Sequence, residues 1–522
     1  MRDWDARHLA AAAGATLVRA PSGELAPGAL GRPGPLRASV DTRTLAPGEL
    51  FVGLRGENAD GGTHAARALA AGAWGVLVAP EHAQAAVAAS GAGAPGVGSG
   101  GADVAAGAAG PPDVRAPGAA GAVLSHPDPL AALHALARGW RRELRVRGAM
   151  VVAVTGSTGK TSTKDILAAL LGERLRVASS PENLNTEIGL PLALLAAAAD
   201  TELLVLEMAM RGAGQIAELT AIAEPDVGVI VNVGPAHLEL LGTLEAIAAA
   251  KAELIAGLAP GASVVVPTGE RLLAKHLRAD VTTIGFGEGG EVSLAERRVD
   301  GSVLIRHGEC EIELWPSFSQ AHNLSNLLAA VAAARALGYT PMGRLDVRFS
   351  AMRGQRLRLP GGVVAVADCY NANPMSMRAA IDELCETAPG RRVAVLGDML
   401  ELGPEGPRMH RDVGAHAGAR GVDMLVAVGP LAAEMRTSFR GESHAVADAQ
   451  AAGELLDGLL RDGDTVLVKG SRGVGLEAVL ERLGAGTATP ADDSPEAAAR
   501  AAPRESVGSG PATAVGVAAE QR

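Results

Sequence analysis

The residues best equipped for chemistry begin where an apolar run, Val151-Val-Ala-Val154-Thr155, breaks into Gly156-Ser157-Thr158-Gly159-Lys160-Thr161-Ser162-Thr163. Glycines at such a break let successive backbone N–H groups converge on one concavity. A helix starting at its end adds unsatisfied donors and the positive end of its dipole. That is the chemistry of holding phosphate. The Lys160 ammonium is spaced to reach the β- and γ-phosphates of a nucleoside triphosphate, and the Thr161 hydroxyl to ligate its Mg2+. Thr155, Gly156, Ser157, Thr158, Gly159, Lys160, Thr161 and Ser162 are therefore the expected ATP contacts. The spacing departs from G-x-x-x-x-G-K-[ST], which would require glycine where Val154 stands. Strand, Gly-x-x-Gly-Lys-Thr and helix in sequence still point to ATP, without saying what the ATP is used for.

Three further reactive side chains follow in order. Glu207 closes the run Leu203–Leu206, His237 stands just beyond Val227–Val231 in Asn232-Val-Gly234-Pro-Ala-His237-Leu-Glu239, and Lys251 sits on a helical stretch, Ala250-Lys251-Ala-Glu253. Singly, each has a plain explanation: a solvated loop acid, a hydrogen-bonded structural histidine, a surface lysine. In this order behind a phosphate loop, with the first two at strand ends, they line the place where an open α/β sheet puts its ligand crevice. Other polar words are Asn183-Leu-Asn185-Thr186-Glu-Ile-Gly189, His322-Asn323-Leu-Ser-Asn326, Arg353-Gly-Gln-Arg356, Asp368-Cys369-Tyr370-Asn371-Ala372-Asn373-Pro374 and Leu396-Gly-Asp398-Met-Leu-Glu401-Leu-Gly403.

Taken together, these words resemble the Mur ligases, the amide-forming enzymes of peptidoglycan precursor synthesis, over about residues 1–486 less a segment near 90–121. The resemblance implies ATP and Mg2+ as cofactors. Lys160 and Thr161 would hold ATP and a first Mg2+, Glu207 and His237 would ligate Mg2+, and Lys251 would be carbamylated, a cation turned into an anion for a second Mg2+. Asn323 would lie near the adenine. Arg356 would touch the ATP phosphates; Arg353 stays open as the alternative, because the family's Pro-Gly-Arg wording is absent. Asn371 and Asn373 would join the nucleotide site. Asp368 would be the one acid at its strand end, since Cys369 stands where members often carry a second. Lys160, Glu207, His237, Lys251, Arg356 and Asp368 form the implied catalytic set. Lys469-Gly470-Ser471-Arg472 also matches, with no role attached.

The resemblance extends to the substrates. Ser39-Val-Asp41-Thr42-Arg43 and the stretch Gly48 to Gly61 resemble a uridine-binding unit. Ser39, Thr42 and Arg43 would meet the UDP, Phe51 and Gly56 would shape its slot, and Asp60 would be a further contact. Asn183, Asn185, Thr186 and Asp398 would face the nucleotide-linked substrate. The words Tyr370–Pro374 and Leu396–Gly403 point to the branch that joins D-alanyl-D-alanine to UDP-N-acetylmuramoyl-tripeptide through an acyl phosphate. The branch that adds the third residue carries an Asp-Asn-Pro-Arg word, which is missing here. Two alternatives stand: a Mur-type or folylpolyglutamate synthetase-like ligase with another amine, and a nucleotide-dependent switch without ligation. A switch has no need of the Glu207–His237–Lys251 series.

The elements that must carry these residues can be read from the apolar runs. Before residue 125 come short strands at Leu50–Leu54 and Gly75–Val78 with an Ala-rich helix, about Thr63–Ala71, between them. From 126 to 338 a helix, Leu130 to Leu144, precedes runs at Val151–Val154, Leu203–Leu206, Val227–Val231 and Ser263–Val266. Short unbroken apolar runs separated by helices predict a buried parallel sheet. From 339 to 486 the runs Val363–Ala367, Val393–Leu396, Met424–Val428 and Val466–Val468 predict a second, doubly wound unit. The fold class is therefore α/β in three domains: an N-terminal UDP-binding unit (1–125), a central P-loop-type ATPase unit with a parallel sheet (126–338) and a C-terminal Rossmann-like unit (339–486). Residues 90–121 and 487–522 are dominated by Gly, Ala, Pro and Ser, and read as a flexible insertion and a disordered tail.

Composition narrows the setting. Aromatics are 2% and the formal charge is −11, which argues against a stacking platform or a general polyanion surface, so no nucleic-acid partner is expected. Three cysteines without a C-x-x-C pair argue against a zinc site or a disulfide framework and suit a reducing compartment. Neither a cleavable signal nor an apolar run of the roughly 18 residues that a membrane span needs is found. The expectation is a cytoplasmic monomer.

Overall fold

The computed structural model describes residues 1, 3–20, 34–89, 121–181, 183–485 and 489–490. The insertion expected at 90–121 lies outside them apart from Gly121. The tail expected from 487 lies outside them too, apart from Thr489 and Pro490, which pair antiparallel with Arg358 and Leu357. Among the described residues three sheets of five, ten and seven strands organise the chain, each flanked by helices, so the fold is α/β in three units.

In the first unit, Ala38–Ser39, Leu50–Val52, Gly75–Val78 and Ala122–Ser125 run parallel, and Thr16–Arg19 closes the edge antiparallel. The expected helix after Asp60 forms in two pieces, a 3-10 turn at Gly61–His64 and an α-helix at Ala65–Ala70.

The helix Pro129–Val146 opens the second unit. Asp128 caps its start by accepting from Leu130 N and Ala131 N at 3.0 Å each, and proline takes the first turn, where its missing N–H is harmless. Arg141 on this helix is fully buried. Its guanidinium donates to Ala149 O, Ala223 O, Glu224 O and Asp226 Oδ2 (2.8–3.2 Å), which staples the helix to the sheet. The strand Met150–Thr155 lies inside the sheet, third from one edge, between Leu203–Glu207 and Val227–Ile230, all parallel. Three of the strands beyond, Val292–Arg297, Val303–His307 and Cys310–Pro316, form an antiparallel extension that the parallel-sheet expectation omits. Their alternating polar faces weaken the unbroken apolar signal (Val303–His307 is buried at alternate positions).

The expected boundary at 338 falls short. Gly343–Leu345 pairs parallel with Leu314–Pro316 and so belongs to the second sheet. In the third unit, Val364–Ala367, Thr465–Lys469, Arg392–Gly397, Met424–Val428 and Glu442–Val446 are parallel, with Gln355–Arg358 antiparallel at one side. Among the described residues no helix is long and apolar enough to cross a membrane.

Candidate active site

The strand Met150–Thr155 is apolar up to Thr155 and lies inside the sheet. Its C-terminal end therefore delivers the turn Gly156–Gly159 to the carboxyl edge of the sheet, where the helix Lys160–Gly172 begins. Gly159 has a left-handed φ of +75°, and a Cβ there would collide with Asn326 Oδ1 from the helix Ala321–Ala336. Glycine is required on both counts.

The neighbouring strand end holds the turn in shape. Asn232 Oδ1 accepts from Thr158 N (2.9 Å) and Ser157 N (3.1 Å), and Asn232 Nδ2 donates to Thr158 Oγ1 (2.9 Å) and Thr158 O (3.2 Å). Ser157 Oγ lies 2.9 Å from both Gly234 O and Gly234 N. Sequence reasoning quoted Asn232 without giving it a task. The signal was available: a side-chain amide just past a strand end can both accept from and donate to the turn beside it.

Glu207 is buried at the end of Leu203–Glu207. Its Oε2 accepts from Thr161 Oγ1 at 2.6 Å and its Oε1 from Asn185 Nδ2 at 2.9 Å, while Ser180 Oγ accepts from Glu207 N at 3.0 Å. Lys160 Nζ donates to Gly156 O at 2.9 Å. Burial lowers the Lys160 pKa, the Glu207 charge opposes this, and the nearby Arg353 guanidinium adds to it. Lys251 lies on the helix Leu244–Gly257 and is 2% exposed, with no hydrogen-bond or ion-pair partner found for its amine among the described residues. Burial, reinforced by the Lys160 charge, depresses its pKa well below the ordinary lysine value. His237 has its pKa lowered by burial against the pull of Glu401, whose Oε2 lies 2.5 Å from His237 Nδ1.

The third unit faces this edge. A cleft of about 1570 Å³ is lined by Ser157–Ser162, Glu207 and His237 from one side and by Arg353, Asp368, Tyr370, Asn371, Asn373, Glu401 and Lys469 from the other. The two halves touch through Asn373 Nδ2, which donates to Ser157 O at 3.4 Å. Asn373 also caps the helix Pro374–Thr387 in a capping box with Ser376. Lys469 is 2% exposed and donates to Asp368 Oδ2 at 2.7 Å and to Asn371 O at 3.1 Å, so it anchors the Asp368–Pro374 word. Arg353 and Arg472 stack on Tyr370, 4.1 and 5.2 Å from its ring centroid.

Set against the expectations, the structure gathers Ser157 to Ser162, Asn185, Thr186, Glu207, His237, Asn323, Arg356, Asp368, Asn371 and Asn373 around one cleft. Lys251 stands behind it, close enough for its charge to act on His237. Several of the expected residues have protein partners of their own or lie outside the cleft lining. Arg356 lines the cleft, but its Nη1 donates to Thr387 Oγ1 at 2.9 Å, whereas Arg353 is the arginine whose charge reaches Lys160. Asp368 carries Lys469 as its ion-pair partner and acts first as an anchor. Asp398 is buried outside the cleft lining, with its Oδ1 accepting from Ala432 N at 2.6 Å. Phe51 is 1% exposed among Ala65, Ala68 and Val76, so it belongs to the core of the first unit and offers no ring to a ligand. Thr155 is buried at the strand end and also outside the lining.

Ser39, Thr42, Arg43, Gly56 and Asp60 lie on the first unit, none of them in the cleft lining. Arg43 is paired with Asp41 (Nη2–Oδ2, 2.6 Å), and Asp60 accepts from Gly62 N and meets His82 Nε2, both at 2.9 Å. Asn183 is exposed and outside the lining. Asn185, expected to face substrate, lines the cleft and also donates to Glu207 Oε1.

The oxygen donors Thr161 and Glu207, 2.6 Å apart at a phosphate loop, fit a hard cation such as Mg2+. An unpartnered buried lysine amine fits conversion to a carbamate, because a neutral amine is the form that adds carbon dioxide.

Comparison with known proteins agrees with this geometry. The Mur ligase middle domain matches residues 154–334, and the Mur ligase, glutamate ligase domain matches residues 352–472. The UDP-N-acetylmuramoyl-tripeptide--D-alanyl-D-alanine ligase of Synechocystis sp. is 36% identical over 453 residues, covering 85% of this chain and 91% of that protein. The Bacillus subtilis protein of the same name is 32% identical over 458 residues, covering 85% and 92%. Among solved structures, MurF from Acinetobacter baumannii has a TM-score of 0.74 at 26% identity, covering 92% of this chain and 98% of that one. MurF ligase from Thermotoga maritima in complex with ADP has a TM-score of 0.68 at 29% identity, covering 86% and 96%.

Proposed function

We propose that this chain, which belongs to the Mur ligase family, is the ATP-dependent amide ligase that adds D-alanyl-D-alanine to UDP-N-acetylmuramoyl-tripeptide in peptidoglycan precursor synthesis. The observation that carries the reading is the bond from Asn373 to Ser157 O, which joins the Tyr370–Pro374 word of the third unit to the phosphate loop of the second.

The chemistry runs as follows. The tripeptide's terminal carboxylate takes the γ-phosphoryl group of ATP and ADP leaves. The amine of D-alanyl-D-alanine then attacks the resulting acyl phosphate and expels phosphate, forming the C–N bond. Phosphoryl transfer of this kind needs positioning and charge neutralisation more than covalent help. The Gly156–Gly159 turn and the helix N-terminus at Lys160 cradle the phosphates, and Lys160 with Arg353 or Arg356 supplies positive charge where it develops. Thr161, Glu207, His237 and, once carbamylated, Lys251 would hold Mg2+, which when bound would neutralise the phosphate oxygens. Asn232 keeps the turn in its binding shape, and Asn323 and Asn371 contact the nucleotide.

The first unit carries the UDP end of the precursor, with Ser39, Thr42, Arg43 and Gly56 as its contacts. One chain supplies both walls of the cleft, which supports a monomer. ATP and a nucleotide-linked precursor are cytoplasmic substrates, and three free cysteines suit that compartment.

ADP release measured with UDP-N-acetylmuramoyl-tripeptide, with and without D-alanyl-D-alanine, tests the reading. Turnover that requires both is expected. Turnover with a different amine, and none with D-alanyl-D-alanine, would move the chain to another Mur-type ligase; nucleotide binding without product would make it a switch.

A further inference from the structure

Glu401 belongs to the Leu396–Gly403 word of the third unit but ends against the second. Its Oε2 lies 2.5 Å from His237 Nδ1, its Oε1 4.0 Å from Arg211 Nε, and its backbone oxygen accepts from Glu239 N at 3.1 Å. Both partners hold left-handed backbones, φ +60° at His237 and +62° at Glu401, and neither is glycine. Such a conformation costs on the order of 1 kcal/mol per residue and persists where the surroundings over-determine it. Strain at both ends of one contact points to the contact itself as what is being held. His237 Nε2, the other ring nitrogen, has no hydrogen-bond partner among the described residues, and the ring lines the cleft beside the phosphate loop.

We propose that Glu401 is a positioning residue for the reaction. By accepting from His237 Nδ1–H it fixes the tautomer whose Nε2 lone pair faces the divalent cation, so the cation site is complete only while the third unit is docked on the second. A carboxylate on the far nitrogen of a metal-binding imidazole orients the ring and raises its basicity. Here that carboxylate comes from a different unit of the chain, so docking and cation affinity are one equilibrium read at two places. The inference rests on the reading of His237 as a cation ligand.

The test is Mn2+ binding to the full chain in the presence of ADP, followed by loss of the free-ion electron paramagnetic resonance signal. Glu401→Ala should weaken Mn2+ binding by about 10- to 100-fold, with the fold intact because this side chain is 38% exposed. Glu401→Gln, whose amide oxygen still accepts from Nδ1–H, should recover most of the loss. In a His237→Ala background, Glu401→Ala should add less than about twofold, since a residue acting through another has nothing left to act on. Multiplying losses in the double variant, or wild-type Mn2+ affinity in Glu401→Ala, overturn the proposal while leaving His237 as a ligand. Wild-type affinity in His237→Ala overturns the ligand reading and the proposal together.

Discussion

Asn232→Ala should uncouple the phosphate loop from the strand beside it. The Asn232 amide makes four bonds to the loop, accepting from Ser157 N and Thr158 N and donating to Thr158 O and Oγ1, at 2.9–3.2 Å. A neutral hydrogen bond contributes a net of about 0.5–1.5 kcal/mol. Asn232 and Thr158 are half-buried, so water replaces part of what is lost. Counting half of the four at mid-range leaves about 2 kcal/mol. Spent on the ordered state of the loop, this weakens ATP binding about 30-fold, because 1.4 kcal/mol is a factor of ten. Equilibrium titration with a fluorescent ATP analogue reads the affinity, and denaturant unfolding of the same sample reads the global stability. Asn232→Asp keeps the acceptor for the two N–H groups but loses both donations and sets an anion beside the triphosphate; it should bind ATP less well than wild type. ATP affinity within about twofold of wild type in Asn232→Ala, with an unchanged unfolding midpoint, would refute the idea that this amide pre-shapes the loop.

Lys160→Ala should lower ADP release by at least about 100-fold without moving the unfolding midpoint; near-normal turnover would remove the loop from the chemistry. Arg353→Ala should cost more in kcat/KM than Arg356→Ala, and the reverse order would return the phosphate contact to Arg356. Arg141→Ala leaves Asp226 and the carbonyls of Ala149, Ala223 and Glu224 without their donor. It should destabilise the chain by about 3–5 kcal/mol in urea unfolding; a loss under about 1 kcal/mol would contradict its role as a staple. Burial pushes the Cys369 thiol from 9.0 up to about 11. The folded chain keeps this proton where the unfolded chain releases it, so its stabilising contribution is complete below pH 9 and lost as pH rises towards about 11. Cys369→Ala should flatten the fall of the unfolding midpoint across that window, and at pH 8 a disulfide reagent should modify exposed Cys310 but not native Cys369.

Much of the site was legible because it is written at strand ends. Glu207 and His237 follow apolar runs, and the phosphate loop follows a third, so residue type and topology pointed the same way. What sequence could not show is which side chains serve the protein itself. Asn185, Asp368, Asp398 and Phe51 have the types expected of ligand contacts, and the structure adds a partner within the protein to each: Asn185 donates to Glu207, Asp368 pairs with Lys469, Asp398 accepts from Ala432 N and Phe51 packs in a core. Each choice is made by a partner far away in the chain. The same holds for Arg353 against Arg356, which are three positions apart and separated only by where Thr387 and Tyr370 happen to stand. The antiparallel extension Val292–Pro316 was missed because a sheet margin exposed on one face loses the apolar continuity by which the inner strands were found.

The apolar packing has one more consequence. Trp4, Leu9, Leu50 and Leu77 of the first unit share a single core with Leu133, Trp140, Leu190 and Ile247 of the second, and Trp4 meets Trp140 edge-on at 5.5 Å. The clusters of the third unit contain only its own side chains. The first two units are therefore cemented by one continuous apolar seam, whereas the unit that carries Arg353, Tyr370 and Glu401 has separate cores and reaches the phosphate-loop side through polar bonds such as Asn373 to Ser157 and Glu401 to His237.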